Sequence, residues 1–201
     1  MTKVASGVGE AEAVLQTATY KQVTDWSADG RTLVFEEQSR ETGWNVGVVA
    51  VQGDRTPRLV VQSRFQERMG TLSPDGRYLA FMSDETGRAE VYVVTFPDVT
   101  DKWTISTGGG TAPRWGRDGN ELFFVNPAGA LMSAPVSHGP RFETGVPQRL
   151  FDLQAVPSDG FTYAPASDSQ RFLVARLTES APTPITVVVN WPALLNKPGA
   201  P

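Results

Sequence analysis

His138 is the only histidine in the chain, and there is no cysteine. Acyl transfer of the Ser-His-Asp type would have to pass through that one imidazole. It stands in Val136-Ser137-His138-Gly139-Pro140, a loop-like sequence, and no Gly-x-Ser-x-Gly elbow occurs anywhere. An exposed loop histidine is the expectation. Zinc would find one imidazole, no thiolate and otherwise only carboxylates, a poor donor set. Asp29, Asp75, Asp84, Glu85 and Asp118 are the candidates for calcium. Calcium needs several oxygens converging on one point, and the spacing of these residues offers no such set. Gly108-Gly109-Gly110 suggests a phosphate loop, but that device needs a following helix with Lys and Ser/Thr. Here Pro113 and a strand-like word follow, so a flexible connection is expected instead. No catalytic, metal-binding or cofactor-binding residue is assigned.

Two further groups have binding chemistry. Trp26 and Trp115 occupy identical places in a repeated word, and aromatic rings near a channel can contact a ligand. Their matching positions favour packing between repeats. Arg68, Arg114 and Arg117 can rim one channel mouth and hold an anion there. Solvated turn charges are the plainer expectation for them.

The repeated word is what must position all of these. Its copies read Asp25-Trp26-Ser27-Ala28-Asp29-Gly30, Thr71-Leu72-Ser73-Pro74-Asp75-Gly76, Arg114-Trp115-Gly116-Arg117-Asp118-Gly119 and Ala164-Pro165-Ala166-Ser167-Asp168-Ser169. The aspartates lie 46, 43 and 50 residues apart. A period in that range, with strand patterns between, indicates propeller blades. The aspartate can accept from a backbone N–H two residues on, and the glycine takes positive φ without steric cost. Asp29-Gly30, Asp75-Gly76 and Asp118-Gly119 therefore close tight turns. Asp168 is followed by Ser169, so the fourth turn must differ or be strained.

After each turn the chain is apolar on both faces. Leu33, Leu79, Leu122 and Phe172 come four residues after the aspartate, and Phe35, Phe81, Phe124 and Val174 come six after it. Val34, Ala80, Phe123 and Leu173 stand between them. Such a strand is covered on both sides, as a blade is between two neighbours. Third strands follow at 44–51, 89–95, 130–136 and 185–190, and shorter fourth strands at 58–61, 103–106 and 148–151. That makes four strands per repeat, about sixteen in all, antiparallel and almost without helix. Residues 13–16 have the spacing of a fourth strand that lacks its own blade. Pairing of this segment with 185–190 would close a four-blade ring. An open fragment of a larger propeller would instead leave apolar residues such as Phe35, Phe124 or Val188 exposed.

The composition agrees with one all-β domain. The chain has 201 residues, 40% hydrophobic, with 19 Gly and 15 Pro for its turns. Residues 11–191 are read as the repeat region and 192–201 as a C-terminal tail, with poor order expected for 1–10 and for Lys197-Pro198-Gly199-Ala200-Pro201. A net charge of −4 gives no electrostatic case for nucleic acid. No apolar run approaches the ~18 residues of a membrane helix. The N-terminus shows no signal-peptide pattern.

The words resemble the TolB-type, WD40-like β-propeller repeat. The second copy is the fullest match, Leu72-Ser73-Pro74-Asp75-Gly76-Arg77-Tyr78-Leu79-Ala80-Phe81-Met82-Ser83-Asp84. Two stretches are similar to the end of the propeller at the C-terminus of certain bacterial serine/threonine protein kinases. One runs from Ser106 through the glycines to Phe124. The other joins Gln170-Arg171-Phe172-Leu173-Val174 to Pro184-Ile185-Thr186-Val187-Val188-Val189-Asn190-Trp191. The resemblance implies a non-catalytic sensor or interaction module on the extracytoplasmic side, with a protein or small ligand as partner. No His-Arg-Asp, Asp-Phe-Gly or Walker-type motif is present, so kinase activity is not implied. Related repeats also occur in prolyl-oligopeptidase-like peptidases, where the propeller gates the substrate, and in Tol-Pal-like envelope scaffolds. These are the alternative settings.

Overall fold

A computed structural model of the chain describes residues 10–138, 141–155 and 160–176. Fifteen strands and no helix occur among them. The first blade is β1 (Lys21–Trp26), β2 (Thr32–Ser39), β3 (Gly43–Ala50) and β4 (Arg58–Val61), hydrogen-bonded in that order. The second is β5 (Arg68–Leu72), β6 (Tyr78–Ser83), β7 (Glu90–Thr95) and β8 (Lys102–Thr104). The third is β9 (Thr111–Trp115), β10 (Glu121–Val125) and the long β11 (Ala130–His138). One half of β11 pairs with β13 (Gln148–Asp152), and the other with the short β12 (Phe142–Thr144). Of the fourth blade, β14 (Tyr163–Pro165) and β15 (Phe172–Val174) are described. Every ladder is antiparallel. The expected third strand at 185–190, and with it Val188, lies outside the described residues.

The period-2 alternation of each second strand sets the stacking. Val34 points from blade one toward blade two, where Leu79 and Phe81 meet it. Ala80 points onward and meets Leu122 and Phe124 of blade three. Phe123 continues the series against Tyr163, Phe172 and Val174 of blade four. Residues four and six after the turn aspartate thus face the preceding blade, and the residue between them faces the next. Leu173 stands at that forward-facing place in blade four and is 78% exposed.

Phe35 and Phe124 are both buried, which corrects the expectation that they form an open patch. Phe124 is sealed in the seam between blades two and three. Phe35 packs with Leu33 and Val49 beneath Val14 and Leu15. Residues 13–16 accordingly lie over the first blade's outer face. They are assigned to no strand, contrary to expectation, and act as an apolar cover anchored by Arg55, which donates to the Ala13 carbonyl at 3.1 Å.

All four turns are built alike. Asp29, Asp75, Asp118 and Asp168 accept from the backbone N–H two residues on, at 3.0, 3.1, 3.0 and 3.0 Å. Gly30, Gly76 and Gly119 have φ of +73°, +69° and +75°. Ser169 keeps the turn with φ of +55°, the strained form of the same geometry. Its hydroxyl accepts from the Arg117 N–H of the neighbouring blade at 3.3 Å.

Candidate functional site

The first strands of the blades are the innermost, with β1 beside β5, β5 beside β9, and β9 beside β14. Each of the first three carries one extra residue relative to its partner. The register slips between Val23 and Asp25, between Arg68 and Thr71, and on β9 between Thr111 and Arg114. Met69 and Ala112, at φ of +57° and +53°, sit inside two of these bulges. A bulge re-aims the side chain that follows it. Here it turns Asp25, Thr71 and Arg114, which share one place in the repeat, toward a common mouth. That mouth is a concavity of about 620 Å³, also lined by Trp26, Arg117 and Pro165.

Asp25 ties blade one to blade two. Its Oδ2 accepts from Thr71 Oγ1 at 2.9 Å and from the Leu72 N–H at 2.8 Å. Arg114 reaches across from blade three. Its Nη1 lies 3.8 Å from Asp25 Oδ1 and 3.5 Å from the Thr24 carbonyl, both weak contacts. Its guanidinium stacks on Phe161 at 3.5 Å from the ring centroid. Nε is buried and has no hydrogen-bond partner. Burial pushes the Arg114 pKa below its ordinary value, and the Asp25 carboxylate opposes that shift. Behind it, the Tyr163 hydroxyl donates to the Ala112 carbonyl at 2.8 Å. Burial raises that phenol far above its usual range.

The two tryptophans part company. Trp115 is 7% exposed, and its Nε1–H donates to the Thr71 carbonyl of blade two at 3.2 Å. Trp26 is 52% exposed at the mouth. The three arginines part as well. Arg114 and Arg117 line the mouth together, and the exposed Arg117 makes no ion pair among the described residues. Arg68 begins β5 four residues before Leu72, roughly 13 Å back along an extended strand. It pairs there with Glu36 at 2.8 Å and lies over the Trp44 ring at 4.4 Å. A single rim of three arginines is therefore not formed.

The other candidates have structural employment. The turn aspartates are occupied by their own loops. Asp84 accepts from the Gln66 N–H at 2.9 Å, and Glu85 pairs with Lys102 at 2.6 Å. Among the described residues no three His, Cys, Asp or Glu side chains come together in a way that suits a metal. Gly109 (φ +96°) donates its N–H to the buried Glu90 carboxylate at 3.0 Å. A Cβ there would lie 2.4 Å from Pro127 Cγ. An internal carboxylate thus fills the place a phosphate would need, and the connection is anchored rather than slack. His138 ends β11, opposite Phe142.

Asp25 and Phe161 were not singled out from the sequence. Asp25 has a signal: aligned on the turn aspartates, it falls in one polar column with Thr71 and Arg114. Phe161 has none, because it lies outside the repeated word.

No protein-family model and no curated protein matches the chain. Solved structures do match in fold. A TolB candidate from Agrobacterium tumefaciens superposes with a TM-score of 0.56 at 18% identity, over 74% of this chain and 55% of that one. TolB from Acinetobacter baumannii gives 0.51 at 14%, over 76% and 37%. An oligogalacturonate lyase in complex with manganese gives 0.58 at 14%, over 84% and 51%. The chain thus spans about half the length of these structures or less. The likenesses establish a β-propeller fold of the kind the TolB structures carry.

Proposed function

We propose that this chain is a non-catalytic propeller module that binds a protein or small ligand at the mouth where its inner strands end. The observation that carries this reading is the convergence of Asp25, Thr71 and Arg114, one from each of three blades, on a concavity bordered by the half-exposed Trp26. Side chains with charge, hydrogen-bonding capacity and an aromatic face suit recognition. The same wall holds no His, Cys or Lys, and its one hydroxyl–carboxylate pair, Thr71 Oγ1 on Asp25, is closed into the seam between blades, with Thr71 only 3% exposed. The resemblance of residues 106–124, 170–174 and 184–191 to kinase-linked propellers supports a sensing role for a bacterial serine/threonine kinase on the extracytoplasmic side. Fold likeness alone would not supply that role.

The test is photo-crosslinking in cells from p-benzoylphenylalanine placed at Trp26, with Val146, an exposed residue of a distant loop, as control. A discrete adduct from Trp26 and none from Val146 is expected. Equal adducts from both sites, or stoichiometric labelling of a serine by a fluorophosphonate probe, would overturn the reading.

A further inference from the structure

We infer that the mouth is a carboxylate-binding site, in which Arg114 and Arg117 grip the anion and Trp26 packs against the group that bears it. The inference rests on the mouth being the binding surface, and names the chemistry it selects.

Arg114 is held half-satisfied. Phe161 fixes the plane of its guanidinium, and the surrounding blades remove most of its water. In return it receives one long contact to a carbonyl and a carboxylate at 3.8 Å, beyond hydrogen-bond range. Asp25 cannot move closer without giving up Thr71 Oγ1 and the Leu72 N–H, which hold its other oxygen at 2.9 and 2.8 Å. The internal counter-ion is thereby kept short of its partner by the seam it ties. A planar fork with open donor capacity matches a carboxylate in two-point geometry. Arg117, exposed on the same wall and free of internal ion pairs among the described residues, adds a second positive charge. The mouth then carries two cations against one carboxylate. Leu72, Pro74 and Pro165 line its apolar side, which suits a carboxylate attached to carbon rather than a bare inorganic anion.

Two sources have this chemistry: an acidic segment of a protein, and a free organic acid. The full 201-residue chain, labelled with 15N, is titrated separately with sodium succinate and with a capped hexapeptide of alternating glycine and glutamate. Sodium chloride at matched ionic strength gives the baseline. Saturable shifts of the Trp26 indole N–H and of the Arg117 and Ala164 amides are expected with at least one probe. Tighter binding of the peptide assigns the carboxylate to a protein segment, and tighter binding of succinate assigns it to a free acid. Arg114→Gln should weaken binding about tenfold or more, the effect of losing a charge-assisted hydrogen bond. Arg117→Gln, at an exposed site that does not endanger folding, should weaken it about threefold. Unsaturated shifts that match chloride for both probes would overturn the inference, as would saturable binding that both variants leave unchanged. A crosslinked partner at Trp26 that binds both variants normally would also overturn it, while leaving the module reading intact.

Discussion

Trp26 and Trp115 occupy the same place in two copies of the repeat, so replacing each with alanine is an internally controlled experiment. A tryptophan side chain offers on the order of 200 Å² of surface, worth about 25 cal/mol per Å² when removed from water. Trp115 is 7% exposed, so nearly all of that area is hidden, about 4–5 kcal/mol as an upper estimate. Truncation also leaves the Thr71 carbonyl without the Nε1–H that reaches it at 3.2 Å, which adds roughly 1 kcal/mol. Relaxation around the cavity brings the expected cost of W115A to about 3–5 kcal/mol. Trp26 is 52% exposed, so W26A should cost about 1–2 kcal/mol. Urea unfolding followed by far-UV circular dichroism reads both. At a slope near 2 kcal/mol/M the two midpoints should differ by roughly 0.5–2 M. Equal costs would refute the stacking, because they would mean that Trp26 is buried in a seam like that of Trp115.

Further outcomes follow from particular contacts. Gly76→Ala should cost about 1 kcal/mol, since only its φ of +69° resists a Cβ and the space is open. Gly47→Ala should cost at least ~2 kcal/mol, since a Cβ there lies 2.5 Å from the buried Phe35 ring; thermal melts compare the two. Burial raises the Glu67 pKa, opposed by its hydrogen bonds to Ser63. Its ionisation therefore weakens folding as pH rises through the window between the unfolded and the raised folded value. The stability of Glu67→Gln relative to wild type should improve from acid to neutral pH, and a constant difference across that range would contradict the shift. Asp25→Asn keeps an acceptor for the Leu72 N–H and removes the charge facing Arg114, so the tighter-binding carboxylate probe should bind about threefold more tightly; calorimetry checks the direction.

The architecture was written plainly in the sequence because turns and alternation are local. The Asp-Gly words needed only their own residues, and the segment 58–61 was bounded as the strand Arg58–Val61 is. Which face of each strand met which neighbour followed once the blades were stacked. The site was harder to read because it is assembled across blades. Arg114 meets Asp25 and Phe161 through positions far apart in the chain, and the bulges that turn the mouth residues inward leave no compositional mark. Arg68 resembled Arg114 in type alone, and its place at the start of β5 sends it to Glu36 and Trp44 instead. Residues 13–16 have strand spacing and pack over Leu33 and Phe35 through Val14 and Leu15, while the segment 185–190 expected to pair with them lies outside the described residues.

Blades one and three meet at one mouth, and the separation of their inner turns reports that convergence. The chain has no cysteine, so Ala28→Cys with Arg117→Cys gives a clean pair of nitroxide labels on two inner turns that line the same concavity. Two stacked-sheet spacings of ~10 Å separate blades one and three, so pulsed dipolar spectroscopy should give a narrow distribution centred below about 25 Å. A broad distribution centred beyond about 40 Å, four such spacings, would mean that the blades do not converge and that there is no mouth to bind a ligand.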